Sequence, residues 1–299
     1  MSIFRMEVLR KHLEGIKVSK NPVTHNLTRD KGILQQNERD FYEDNGYLLV
    51  NRLVEIPILE ECRSHFHNIC NGRESQEGMT LTEEVSRMFS DTENRVVYNK
   101  IQNILSDRIF SKYTEHNDML SYVESIVGPN IMALHSALIN KVPGTSIYPP
   151  HQDLHYIHYR PANNIVASWT AIDPVFKDNG CLYVVPGSHK EELYQHSECG
   201  GQEKSQCYAI TNYDSVKPET KRLYLPMNAG DTILFHPLLI HGSGPNNTNN
   251  FRKAISCHYA ASDSKYTKGR AIANEGSDAS TTGTTHTAKH LRGVRKSAL

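Results

Sequence analysis

The sequence predicts an α+β domain, mainly β, in which a layer of helices backs a β-core. Three observations carry this. Helical patterning is confined to the first half of the 299 residues, apolar runs separated by Pro, Gly and Asn turns dominate from Asn130 onward, and no internal repeat is found. A chain of this length accommodates one domain of up to about 250 residues plus tails, with a sizeable buried core.

Taken in order, residues 1–35 read as a leader and linker, polar and irregular from residue 14. Residues 38–45 then form a short helix stopped at Gly46, which feeds the apolar strand Tyr47-Leu48-Leu49-Val50. Helices follow at 57–70 and 118–127, with a polar, ambiguous stretch between them. Asp118 is placed to cap the second helix, so the triplet His116-Asn117-Asp118 is read as structural. Tyr148-Pro149-Pro150 breaks regular structure, and residues 154–160 alternate apolar or aromatic with polar, as a strand does. Residues 231–241 are a β-rich run after the turn Asn228-Ala229-Gly230, ending at Gly242-Ser243-Gly244, and 251–259 read as the next antiparallel strand. The core domain is therefore 36–263, and residues 264–299 are a polar tail, either disordered or a divergent part of the substrate mouth.

Thirty-three basic and thirty-three acidic residues leave no net charge, which argues against a nucleic-acid partner. No apolar run reaches the roughly 20 residues of a transmembrane helix. The six cysteines form no Cys-x-x-Cys pair, so free thiols in a reducing or peroxisomal setting are expected, with three disulfides as the alternative.

The chemistry concentrates at His151-Gln152-Asp153 and, far along the chain, at His241 and Arg252. With 16 histidines present, a His-x-Asp triplet arises about once by chance, so the triplet alone proves nothing. In a strand, residues two apart share a face, and His151 and Asp153 can then point into one cavity. His236 and His241 are five apart, so a regular strand turns only one of them inward, and His241 is the better placed. Two imidazoles and one carboxylate form the ligand set of a mononuclear non-haem iron(II) site with three open positions, although the same ligands accept zinc in a cupin-like site. Arg252 follows on the next strand, and its planar guanidinium suits the far end of a dicarboxylate.

These residues resemble the iron(II)- and 2-oxoglutarate-dependent oxygenases. Longer phrases resemble the phytanoyl-CoA dioxygenase family: Asp40-Phe41-Tyr42-Glu43, Asn45-Gly46-Tyr47-Leu48, Gly128-Pro129-Asn130-Ile131-Met132-Ala133, Leu138-Ile139-Asn140-Lys141, Trp169-Thr170-Ala171, Asn179-Gly180-Cys181-Leu182, and the run from 230 to 259. The resemblance implies a double-stranded β-helix, or jelly roll, with the metal at its mouth. It implies His151, Asp153 and His241 as metal ligands, and Arg252, Lys100, Trp169 and Ser243 as the 2-oxoglutarate pocket. Taken alone, Lys100 is a solvated lysine, Trp169 a core residue and Ser243 part of a Gly-Ser-Gly turn. Gln152 and His155 are assigned to the surroundings of the ligands or the substrate pocket, and Arg160 and Lys177 are candidates for CoA phosphates.

The implied cofactors are Fe(II), 2-oxoglutarate and O2, with ascorbate in support. The implied reaction is 2-hydroxylation of a 3-methyl-branched acyl-CoA such as phytanoyl-CoA, in peroxisomal fatty-acid α-oxidation, with release of succinate and CO2. Asp153 favours hydroxylation, since related halogenases have Ala or Gly there. Residues 5–13 resemble a type 2 peroxisomal targeting signal, with Met6 departing from the usual pattern. The implied location is the peroxisome, with the cytoplasm as fallback, and the implied partner is the import receptor for such signals. Two other readings stand beside this one: a hydroxylase of the same family with another small-molecule substrate, and a non-catalytic jelly-roll binding protein. Dependence on 2-oxoglutarate separates them.

Overall fold

The computed structural model describes residues 25–84, 97–199, 208–216, 222–267 and 288–293, so the targeting-like stretch 5–13 lies outside the described residues. Helix α1, Gln36–Asn45, begins where the Glu38 carboxylate accepts the Gln35 N–H at 2.9 Å. It ends at Gly46, whose φ of 78° is the left-handed cap expected there. A side chain at Gly46 would also strike the His189 ring, its Cβ lying 2.4 Å from that ring. The chain continues as β1 (Tyr47–Val50), α2 (Ile56–Cys70), β2 (Thr80–Glu84), β3 (Val97–Gln102) and α3 (Asn117–Val127). Then come β4 (Ile131–Lys141), β5 (Tyr148–His151), β6 (Tyr159–Arg160), β7 (Ile165–Ala171), β8 (Leu182–Val184), β9 (His196–Glu198) and β10 (Tyr208–Ile210). The last strands are β11 (Leu223–Leu225), β12 (Thr232–Phe235), β13 (His241–Ser243), β14 (Arg252–Ala261), β15 (Lys265–Tyr266) and β16 (Lys289–Arg292).

Most strands form two facing antiparallel sheets, the jelly roll that the family resemblance implied, while β9-β10 and β6-β15 pair separately. The large one runs β1-β12-β7-β14-β4-β3-β2, with β16 also on β4; the small one runs β11-β8-β13-β5. Register decides which side chains meet. One row across the large sheet is Tyr47, Phe235, Ala167, His258 and His135; the next is Ile233, Trp169, Ser256, Ala137 and Gln102. These face the small sheet, where Tyr47, Trp169, Ile233 and Phe235 cluster with Cys181, Leu182, Val184 and Leu225. Alternation sends Leu48, Leu234, Ile255, Cys257 and Tyr259 to the other face, where they pack on Phe66 of α2 and Met119, Val123 and Ile126 of α3. The helical layer thus backs one sheet and leaves the space between sheets for the site.

Several local expectations need correction. The cap of α3 is His116, whose Nδ1 accepts the Met119 N–H at 3.3 Å; Asp118 lies inside the first turn, where its charge still suits the helix dipole. Tyr148-Pro149-Pro150 belongs to β5 rather than breaking it, because β5 is an edge strand and proline's missing donor can face outward. Residues 154–160 are not one strand: Asp153–His155 is a single 3-10 turn, with the Leu154 N–H donated to Pro237 O at 2.9 Å, and only Tyr159–Arg160 is extended. The run 231–241 is two strands, β12 and β13, so His241 opens a strand instead of ending one. The ambiguous polar stretch contributes β2 and β3.

Described parts of the linker and tail contact the core domain. The N–H groups of Leu27 and Thr28 both donate to the buried Glu43 carboxylate at 2.8 and 2.9 Å, so part of 14–35 is packed on α1. Within 264–299, β15 pairs with β6 and β16 pairs with β4. Cys62, Cys70, Cys181 and Cys257 are free, as expected, but Cys199 is disulfide-bonded. No helix among the described residues is long and apolar enough to cross a membrane.

Candidate metal centre

The two histidines come from neighbouring strands of the small sheet. His151 ends β5 and His241 opens β13, directly opposite in register, with ring centroids 4.2 Å apart. The 3-10 turn after β5 returns Asp153 beside them. Its Oδ1 lies 3.4 Å from His151 Nε2 and 3.5 Å from His241 Nε2. The three donor atoms fall within 4.8 Å of one another, the only such group among the described residues. His151 and Asp153 therefore converge without sharing the strand that the spacing suggested.

Both rings are oriented from behind. His151 Nδ1 donates to Pro149 O at 3.0 Å and His241 Nδ1 to Leu239 O at 2.9 Å, which leaves each Nε2 lone pair turned into the cavity. Burial above all pushes the His241 ring down to about 4, so it is a neutral ligand at neutral pH. Burial opposes ionisation of Asp153, but the histidines around it, with the His258 N–H donated to Oδ2 at 2.8 Å, outweigh it. The carboxyl is held well below its usual range.

Across the cavity, the large sheet supplies cations. Arg252 is 2% exposed; its Nη2 donates to Gly180 O at 3.0 Å, while Nε and Nη1 meet no partner among the described residues. Its guanidinium carbon lies 5.4 Å from the centre of the Trp169 ring. Burial pushes this group down to about 10, which still leaves it charged. Lys141 pairs with Arg252 across the strands and donates to Ser146 O at 2.9 Å and Ser243 Oγ at 3.2 Å. Burial first, and then Arg252, push its amine down to about 7. Lys100 sits on β3 in the row of Ile139 and Ala254, on the inner face; burial depresses its pKa and the nearby Asp153 charge partly offsets that.

Two residues assigned to the ligands' surroundings turn away from the metal-ligand atoms themselves. Gln152 is fully buried, and its amide donates to Glu192 O and Leu238 O while accepting the Tyr194 N–H, so it braces loops and does not line a pocket. His155 does not share the ligand face, because the turn rotates it onto His196, with rings stacked 4.5 Å apart, and onto Tyr208. His258 and Lys141 were missed. A signal for His258 was present: it lies six residues from Arg252 in one strand, an even spacing that puts both on one face.

A two-histidine, one-carboxylate cluster with vacant positions, seated between the sheets of a jelly roll, defines a mononuclear non-haem oxygenase. The comparisons agree with that class. The family model described as "Phytanoyl-CoA dioxygenase (PhyH)" matches residues 42–254. The peroxisomal phytanoyl-CoA dioxygenase of Rattus norvegicus is 41% identical over 254 residues, covering 82% of this chain and 74% of that protein. The Homo sapiens counterpart is 38% identical over 273 residues, covering 89% and 80%. Among solved structures, a non-heme alpha-ketoglutarate-dependent carbocyclase from nogalamycin biosynthesis has a TM-score of 0.63 at 19% identity, covering 84% of this chain and 91% of that one, a likeness of fold. The chain belongs to the phytanoyl-CoA dioxygenase family and is an enzyme.

Proposed function

We propose that this enzyme uses iron(II) and 2-oxoglutarate to hydroxylate C2 of a 3-methyl-branched acyl-CoA such as phytanoyl-CoA. The observation that carries this is a facial triad placed near a buried guanidinium that keeps two unspent N–H donors. Orphaned donors of a buried cation are costly unless a ligand takes them, and a carboxylate oxygen is a strong acceptor for them. The names of the rat and human relatives support the acyl-CoA substrate, and their peroxisomal designation supports a peroxisomal location; the type 2-like stretch 5–13 and its import receptor are the proposed route.

When bound, iron and 2-oxoglutarate would supply the oxidising chemistry with dioxygen as the oxidant, one oxygen atom going to succinate as CO2 leaves and the other to the substrate hydroxyl. The chain's own part is to hold and shield. His151, Asp153 and His241 would hold the metal through three converging donor atoms. Arg252, flanked by Trp169, would hold the distal carboxylate of 2-oxoglutarate. Ser243 accepts from Lys141 through its oxygen, which frees its own O–H for the same carboxylate. Lys100 adds positive charge from the neighbouring row. Tyr148 and Tyr156 set their rings edge-on to His151, while His155 and Tyr208 pack on Tyr156, forming an aromatic wall that limits water beside the ligand.

The test is iron(II)-dependent succinate formation from 2-oxoglutarate, with and without phytanoyl-CoA, beside Asp153→Ala. Turnover stimulated by the thioester, with 2-hydroxyacyl product and no activity in the variant, is expected. Turnover indifferent to the thioester would overturn the substrate while keeping the oxygenase. No dependence on 2-oxoglutarate would overturn the mechanism.

A further inference from the structure

The two oxygens of Asp153 have different neighbours. Oδ1 faces the Nε2 atoms of His151 and His241, whereas Oδ2 lies 2.8 Å from Nε2 of His258 on β14. A carboxylate oxygen accepts, so His258 Nε2 carries the proton. His258 Nδ1 is buried without a hydrogen-bond partner among the described residues, which leaves the bond to Asp153 as the ring's polar anchor. The ring is steadied across the sheet by His135, its cross-strand partner, with centroids 6.0 Å apart, and His135 Nε2 in turn lies 3.2 Å from Gln102 Nε2.

We propose that His258 is a positioning residue for the metal centre: its N–H occupies one oxygen of Asp153, so that the carboxylate offers the metal a single atom. The inference rests on the metal-site reading above and deepens it. A carboxylate left free can turn both oxygens to a cation and fill a second coordination position. The proposed reaction needs all three remaining positions, two for the 2-oxo acid and one for dioxygen. His258 is therefore what keeps the third position vacant. It comes from the large sheet while the ligands come from the small sheet and its turn, so the clamp also ties the two sheets together at the metal.

The experiment is Mn(II) binding to the full chain, followed by the paramagnetic resonance of free Mn(II), for wild type, His258→Leu and His258→Gln. Gln places an N–H donor at a similar reach; Leu fills comparable space and donates nothing. Leu is expected to weaken Mn(II) binding by about 10- to 100-fold, the usual effect of losing an outer hydrogen-bond partner of a metal ligand. Gln should stay within about threefold of wild type. At saturating Mn(II), the Leu variant should also bind 2-oxoglutarate more weakly, because Asp153 now competes for a position. Leu binding Mn(II) within twofold of wild type overturns the proposal, and so does an equal loss in Leu and Gln, which would mark a packing effect. Where Leu does not fold, His258→Asn replaces it, since its donor is too short to reach: Gln must then bind tighter than Asn, and equality overturns the proposal. Failure of wild type to bind Mn(II) removes the metal centre itself, an outcome distinct from either of these.

Discussion

Replacing Arg252 by Met should separate co-substrate binding from everything else the molecule does. Arg252 spends one donor on Gly180 O at 3.0 Å, and among the described residues its buried Nε and Nη1 have no partner. Two hydrogen bonds to a charged carboxylate contribute about 1.5–2 kcal/mol each, so losing both raises the KM for 2-oxoglutarate by roughly 10²- to 10³-fold. Arg252→Lys keeps the charge without the fork and should recover about one order of magnitude of that loss. The KM for the acyl thioester should not move. Stability supplies an independent sign. With no co-substrate, the wild-type chain carries two unsatisfied buried donors, so the Met variant should melt at the same temperature or higher, offset only by the lost Gly180 bond. Added 2-oxoglutarate should then raise the Tm of metal-loaded wild type and leave Met unaffected. Succinate formation at fixed thioester and scanning fluorimetry make both measurements. A 2-oxoglutarate KM within threefold of wild type, or a collapse of the co-substrate-free Tm, would refute this account of Arg252.

Trp169 is the chain's only tryptophan and lies 5.4 Å from the guanidinium, so 2-oxoglutarate added to metal-loaded protein should change its emission, and Arg252→Met should abolish the change. His189 and His236 are held down to about 4 and about 3, chiefly by burial in both cases. Unfolding restores them toward about 6.5, so the unfolded chain binds two protons that the folded one refuses, and stability is lost as pH falls from about 6.5 toward 4. A Tm that stays flat across that window, or a His189→Gln variant with unchanged pH slope, would contradict this. Tyr113→Phe removes a hydroxyl bonded to Ser168 Oγ at 2.8 Å and Thr170 Oγ1 at 3.0 Å behind the large sheet. It should cost about 1–2 kcal/mol in urea unfolding while leaving both KM values unchanged.

What was legible in the sequence depended on whether the signal was local. Gly46 announces a helix stop because its left-handed cap is a property of one residue, and α1 and β1 follow on either side as read. The metal ligands were legible because three ligand types and their order survive without knowing the path between them. The path itself was not. Pro149 and Pro150 read as breakers, yet their cost depends on whether the strand is at an edge, a fact of sheet order. The alternation from 154 to 160 satisfies a strand template as well as it satisfies a turn followed by a two-residue ribbon, and only the Pro237 carbonyl capturing Leu154 decides between them. That difference rotates His155 away from the ligands. β2 and β3 were hidden because most of their residues are only half-buried, which weakens the period-two contrast. Lys100 could be placed by resemblance alone, since its cavity-facing position arises from register with Ile139 on a strand about forty residues later.

Translation order gives β14 a particular weight. It lies between β4 and β7, joined to both along most of its length, and it carries Arg252 and His258 together. Asp153 leaves the ribosome 105 positions before its clamp does. Until β14 emerges, β4 and β7 are strands without their shared neighbour, and the two histidines face a cavity with one wall missing. On the roles proposed above, a nascent chain of this kind would lack both Arg252 for 2-oxoglutarate and His258 for Asp153. The strand that joins β4 to β7 would then also be the one that completes the site.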